Sequence, residues 1–262
     1  MFKGNYHFFD YKYNIEGYNG QDFGSIMQYL YLIISIILII TLLIVLRKSS
    51  KEKVIKITKY IGIFLIIFYL GKTIWESIYD IKLTGSFNTG LLPFDTCSII
   101  MYATLLAGFT KGKLQELSLC WLATGGIVGG LSTMIVLNAF KYYPFFSFGA
   151  FYSMIWHFLM VFLGLLIIVT KTIDLKYSVV IKGFIFHLLI SLIIIPIDYL
   201  YDFDFMLYHY MGGIPFFEEI GSKLISNNLA IVNPLIMAIL YFLSFNIIYF
   251  ISLRINKIFT RK

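Results

Sequence analysis

The stretch IMQYLYLIISIILIITLLIVL, residues 26–46, is followed at once by Arg47 and Lys48. It contains no charged residue. At about 1.5 Å rise per residue such a helix matches the roughly 30 Å hydrocarbon core of a bilayer. Comparable runs recur along the chain and set the fold class: an all-α, polytopic bundle of about seven transmembrane helices. The remaining spans are expected near Ile57–Tyr79, Leu92–Phe109, Leu117–Leu137, Ala150–Thr170, Ser178–Tyr199 and Leu229–Leu253.

Composition agrees. Of 262 residues, 59% are hydrophobic and 13% charged, against about 25% charged in soluble domains. The net charge of +7 is sorted by side, which argues for membrane topology and against nucleic acid as a partner. Arg47, Lys48, Lys51, Lys53, Lys56, Lys59, Lys111, Lys113, Lys171, Lys176, Lys182, Arg254, Lys257, Arg261 and Lys262 fall on one side. Lys3, Lys12, Lys82, Lys141 and Lys223 fall on the other, with Lys72 inside a span. The positive-inside rule then places the N-terminus outside and the C-terminus in the cytoplasm. The domains expected are an extracytoplasmic tail over residues 1–25, one transmembrane domain over 26–253 and a basic cytoplasmic tail over 254–262. The first 25 residues lack the basic start of a cleavable signal, so the first span is expected to remain. Abundant Ile, Lys, Asn, Phe and Tyr fit an AT-rich bacterial genome, and the expected location is a bacterial plasma membrane.

Polar groups inside the spans are the functional signal, because charge near the bilayer centre costs about 3 kcal/mol or more. In Leu92-Pro93-Phe94-Asp95-Thr96-Cys97-Ser98 a proline, a carboxylate and a thiol open the third span. Pro93 suits a first helical turn, which puts Cys97 near a helix N-terminus, where a thiolate is favoured. Asp95, two residues away, points elsewhere and serves as helix-start or supporting group. His157, in the fifth span, falls at nearly the same depth as Cys97, roughly 10 Å below the outer boundary at helical rise. A thiol and an imidazole at one level form a candidate nucleophile and base; the bland alternatives are a small core cysteine and an interhelical hydrogen bond. Lys72, Glu76 and Asp80 share one helix face at four-residue spacing, either neutralising one another or receiving an anionic head group. His187, Ser191 and Asp198 form a stripe in the sixth span. Cys120 reads as structural, and neither cysteine has metal-ligand spacing, so no metal and no cofactor are expected. Gly125, Gly126, Gly129 and Gly130 read as close helix packing. The connection from Leu200 to Asn228, acidic and aromatic, is expected to lie over the outer helix ends.

The Leu-Pro-x-x-x-Cys-Ser stretch at residues 92–98, followed by residues 144–157 ending in His157, resembles the YwaF-like integral membrane proteins. That family includes the animal transmembrane-protein-164-type enzymes, and the similarity in length and layout covers most of the chain. The resemblance implies a CoA-independent phospholipid acyltransferase, with a cysteine taking the acyl chain and a histidine about sixty residues later assisting. Asp95 departs from the family pattern, where a neutral polar residue or histidine is expected. Read together, the expected function is a lipid acyltransferase or acyl hydrolase. Cys97 and His157 are catalytic; Lys72, Glu76, Asp95, His187 and Asp198 bind or support the phospholipid or lysophospholipid. The alternative is a small-molecule transporter or binding module contacted by Lys72, Glu76, His187 and Asp198. A third possibility is a purely structural membrane protein.

Overall fold

The computed structural model describes residues 6–11, 26–137, 143–144, 146–212 and 215–260. Seven helical stretches in it are long and apolar enough to cross a membrane, as the hydropathy pattern predicts, and no strand occurs among the described residues. Most of the 1–25 segment, together with Lys141, Arg261 and Lys262, lies outside the described residues.

Helix α1 (Ile26–Leu46) buries its polar Gln28 and Ser35 with Tyr31, Ile39 and Leu43, while Ile33, Ile34, Ile36, Ile37, Leu38, Ile40 and Ile44 are exposed. This inversion follows from the solvent: lipid solvates Ile and Leu, whereas hydroxyl and amide groups need protein partners. Tyr31 donates to the Met154 carbonyl at 2.8 Å and Gln28 to the Ile135 carbonyl at 2.9 Å, fastening α1 to the bundle. Helix α2 (Lys51–Thr84) starts at the Ser50 cap and stops at left-handed Gly85, φ 74°. Its 34 residues span more than the hydrocarbon core at about 1.5 Å each, so lysine-rich turns project at one end and Asp80 lies near the other.

The third span is interrupted. Short 3-10 turns cover Thr89–Leu91 and Thr96–Ser98, and α3 proper is Ile99–Phe109. Pro93 therefore does not open the α-helix, contrary to the expectation from its position. Leu92 precedes a proline and is extended at φ −63°, ψ 145°, the conformation that proline imposes on its predecessor. Cys97 sits in the 3-10 turn just ahead of α3.

The fourth span is the centre of the bundle: 72% of its apolar window is buried, against 22% for α1. It consists of α4 (Gly112–Trp121), a π turn (Leu122–Gly126), α5 (Ile127–Ser132) and a second π turn (Thr133–Leu137). Its glycines bring neighbouring backbones together. A Cβ on Gly130 would stand 2.9 Å from the His157 carbonyl oxygen of α6 (Phe148–Val169), and one on Gly183 3.0 Å from the Cys120 carbonyl oxygen. Gly183 belongs to α7 (Ser178–Tyr201), and α8 (Pro215–Ser226) and α9 (Val232–Thr260) complete the chain. Helix α9 runs to Thr260, so Arg254 and Lys257 are helical.

The connection after α7 does more than lie over the helix ends. Phe205, Met206, Tyr208 and Met211 are buried inside the bundle. Asp198 accepts from the Phe205 N–H at 2.9 Å, and Asp204 accepts from the N–H groups of His209, Tyr210 and Gly212 at 2.9, 2.7 and 2.8 Å. These bonds hold a backbone whose Asp202, Met206, Leu207 and Met211 all have positive φ, a region that non-glycine residues rarely occupy. Asp204→Ala removes three acceptor bonds at once. It is expected to cost roughly 2 kcal/mol and to speed amide hydrogen exchange over residues 205–212, with Asp204→Asn milder.

Candidate functional site

The Cys97 turn is held by side chains from four helices. Tyr69 of α2 donates to the Leu91 carbonyl, and Tyr102 of α3 to the Pro93 carbonyl at 3.0 Å. Trp156 of α6 donates its indole N–H to the Cys97 carbonyl at 3.0 Å. The Thr96 hydroxyl pairs with the Tyr241 hydroxyl of α9 at 2.6 Å, and Tyr241 also donates to the Met206 carbonyl at 3.1 Å. Carbonyls that a regular helix would satisfy internally are met by aromatic donors, which lets the backbone stay irregular at membrane depth. The thiol itself is half-buried.

On one flank lies the polar face of α2. Lys72 and Glu76 form an ion pair one helical turn apart. Tyr143 donates to Glu76 at 3.0 Å, and Tyr11 donates to Asp80 at 2.5 Å. Both carboxylates are buried. The Lys72 ammonium stands 5.6 Å over the Tyr152 ring, and Tyr152 packs on Trp156 at 5.2 Å. Asp95 is exposed and makes no side-chain capping bond. Removing only one partner of a buried ion pair strands the other charge. Glu76→Leu is therefore expected to cost about 3 kcal/mol, the low end for a pair whose lysine is only partly buried, and Lys72→Met with Glu76→Leu together less than the sum of the two, as a double-mutant cycle in detergent will measure.

His157 is buried, and its Nδ1 lies 2.7 Å from the Ser153 carbonyl oxygen of the preceding turn. A carbonyl only accepts, so Nδ1 carries the proton and Nε2 keeps its lone pair. Successive residues on a helix turn by about 100°. Trp156 meets the Cys97 turn, and His157 is rotated from it toward α5, where its carbonyl abuts Gly130. No hydrogen bond among the described residues joins the Cys97 thiol to the His157 ring.

The sixth-span stripe lies on the other flank. His187 is buried, its Nε2 3.1 Å from the Tyr208 hydroxyl, and that hydroxyl meets Ser191 at 2.6 Å. Burial pushes the Tyr208 phenol up to about 12, so it remains a neutral donor. Its ring and that of Tyr241 stand 6.2 Å apart, and His187 contacts Tyr241 at 4.3 Å. This cluster adjoins the Cys97 turn through Tyr241 and Thr96. Asp198 is fully buried and holds Phe205.

The seven residues singled out from sequence thus form three groups around one turn: Lys72, Glu76 and Asp95 beside Cys97; His157 behind Trp156; His187 and Asp198 anchoring the inserted loop. Sequence reasoning missed Tyr69, Tyr102, Trp156, Tyr208 and Tyr241. In a chain with 20 tyrosines and 26 phenylalanines, aromatic identity singles out none of them. No cluster of three or more His, Cys, Asp or Glu side chains able to hold a metal occurs among the described residues.

Comparison with known proteins places this arrangement in a family. The model of the TMEM164 family matches residues 23–255, and the chain belongs to that family. No curated protein and no solved structure matches the chain.

Proposed function

We propose that this TMEM164-family membrane protein is an acyl-transfer enzyme in which Cys97 attacks a phospholipid ester at the bilayer interface. The observation that carries the reading is the Trp156–Cys97 bond, which fastens the helix turn bearing His157 to the turn bearing the thiol. The Ser153 contact supports it by leaving His157 Nε2 as the basic nitrogen. Lys72, over the Tyr152 ring, is the cation for the lipid phosphate, and Glu76 holds it in place.

The proposed sequence is closed. The Cys97 proton passes to His157 Nε2 through a bridging water, because Trp156 lies between the thiol turn and the imidazole, and the sulfur attacks the ester carbonyl. The ester C–O bond breaks, and the leaving lysolipid alkoxide takes the proton from His157. The acyl group is left as a thioester on Cys97. A lysolipid hydroxyl, or water in the hydrolytic case, then gives its proton to His157 and attacks the thioester carbonyl, and the departing thiolate is reprotonated. No cofactor enters either half. Transport through a polar cavity is the other reading of the same residues. It is less well supported, because His187 and Asp198 bond to the inserted loop.

The experiment is a trap. The purified protein is incubated with phosphatidylcholine bearing a labelled acyl chain, quenched in acid and digested. The Cys97 peptide is expected to carry the acyl mass, released by hydroxylamine. A label found only on Cys120, or no label during turnover, overturns the mechanism.

A further inference from the structure

Far from the Cys97 turn, at the lysine-rich end of the bundle, the structure holds a cavity of about 670 Å³. Its size falls within the roughly 300–1,000 Å³ typical of small-ligand sites. Its charged lining comes from three parts of the chain: Lys51 at the start of α2, Lys113 and Glu116 in α4, and Asp174, Lys176 and Lys182 around the start of α7. Lys182 pairs with Glu116 at 2.6 Å and Lys176 with Asp174 at 2.6 Å. No ion pair among the described residues engages Lys51 or Lys113. The lining therefore carries two uncompensated positive charges. Helix α4 begins there without a side-chain cap, so first-turn N–H groups at Gly112 and Lys113 add donors to the same space. The positive-inside rule accounts for lysines on this side of the membrane. It does not account for their convergence, from positions 51, 113, 176 and 182, on one concave surface.

We propose that this cavity binds a phosphate monoester, free in solution or carried as a lipid head group. Such a group has about −1.5 to −2 charge at neutral pH, which matches the charge left over in the lining. Lys51 and Lys113 contact the phosphate, and the Lys182–Glu116 and Lys176–Asp174 pairs form the rim. The site owes nothing to the chemistry of Cys97.

Two probes separate the sources. In detergent, inorganic phosphate is titrated against the whole protein and its unfolding midpoint is followed at fixed ionic strength. In parallel, the protein is reconstituted in phosphatidylcholine with or without phosphatidic acid, and the same midpoint is measured. Stabilisation by inorganic phosphate identifies a soluble ligand; stabilisation by phosphatidic acid alone identifies a lipid head group. In either case Lys51→Gln with Lys113→Gln is expected to weaken the response at least about tenfold. Both side chains are exposed, so the ligand-free midpoint stays that of the parent. Lys48→Gln with Lys56→Gln, neither of which lines the cavity, keeps the response. The proposal is overturned if neither probe stabilises the protein, or if the two double variants lose the response equally, which is what diffuse surface charge predicts.

Discussion

Cys97→Ala is expected to reduce acyl transfer by a factor on the order of 10³ or more, because in the proposed mechanism it removes the atom that forms the covalent intermediate. The fold is expected to tolerate the change. The turn is held through the carbonyls of Leu91, Pro93 and Cys97 and through the Thr96 hydroxyl, none of which the substitution touches. Melting of the variant at the parent temperature, with turnover lost, separates chemistry from stability. His157→Ala is expected to lose about 10²–10⁴, and in combination with Cys97→Ala to add little, since residues acting as one unit are non-additive. Full turnover by Cys97→Ala in the labelled-lipid assay leaves no role for a thioester. Cys120→Ala is the control: it lies in the α4 core, its carbonyl accepting from Thr124 at 2.9 Å, and its turnover should match the parent.

The second large effect concerns the contact that positions α6. A Cβ added at Gly164 would stand 2.4 Å from Ile127 Cγ1 and 2.5 Å from the Leu122 carbonyl oxygen. A side chain can rotate aside, but a backbone oxygen within a π turn cannot. Gly164→Ala is expected to cost about 2–3 kcal/mol by overpacking. Gly164→Leu should exceed about 4 kcal/mol, a loss single substitutions seldom reach. Gly71→Ala, in α2, provides the contrast, with nothing within 4 Å of the added carbon. Removing a helix-interior glycine in open space is expected to be neutral or stabilising by up to about 1 kcal/mol. Unfolding midpoints in one detergent decide both. Equal losses at Gly164 and Gly71 would mean that the α6 approach does not limit stability.

The two arguments share a physical basis. The central span can come close to α6 only because its small residues and π turns leave room, and α6 carries both Trp156 and His157. Sequence showed the glycines at 125, 126, 129 and 130 and their packing role. It gave no sign of Gly164, which sits in an apolar run with nothing around it to mark a contact.

Hydropathy alone picked out the seven stretches that, among the described residues, are helices able to cross a membrane, because transfer of side chains from water to hydrocarbon sums locally over about twenty residues and needs no tertiary partner. Helical spacing alone also placed Lys72 and Glu76 on one face, and the ion pair between them is the local consequence. Only the tertiary structure decided how the Cys97 turn is built. The Trp156 bond joins residues 59 apart, and the Thr96–Tyr241 bond residues 145 apart. Equivalent donors abound in the sequence, and which of them reaches the turn depends on the rotation and approach of every helix between. The same holds for the Leu200–Asn228 connection, whose composition read as a cover but which bonds to Asp198 of α7 and to its own Asp204 turn inward. The lysine cavity is of the same kind. Charge counting assigned its lysines to a side of the membrane, whereas packing of α2, α4 and α7 brought them to a common surface.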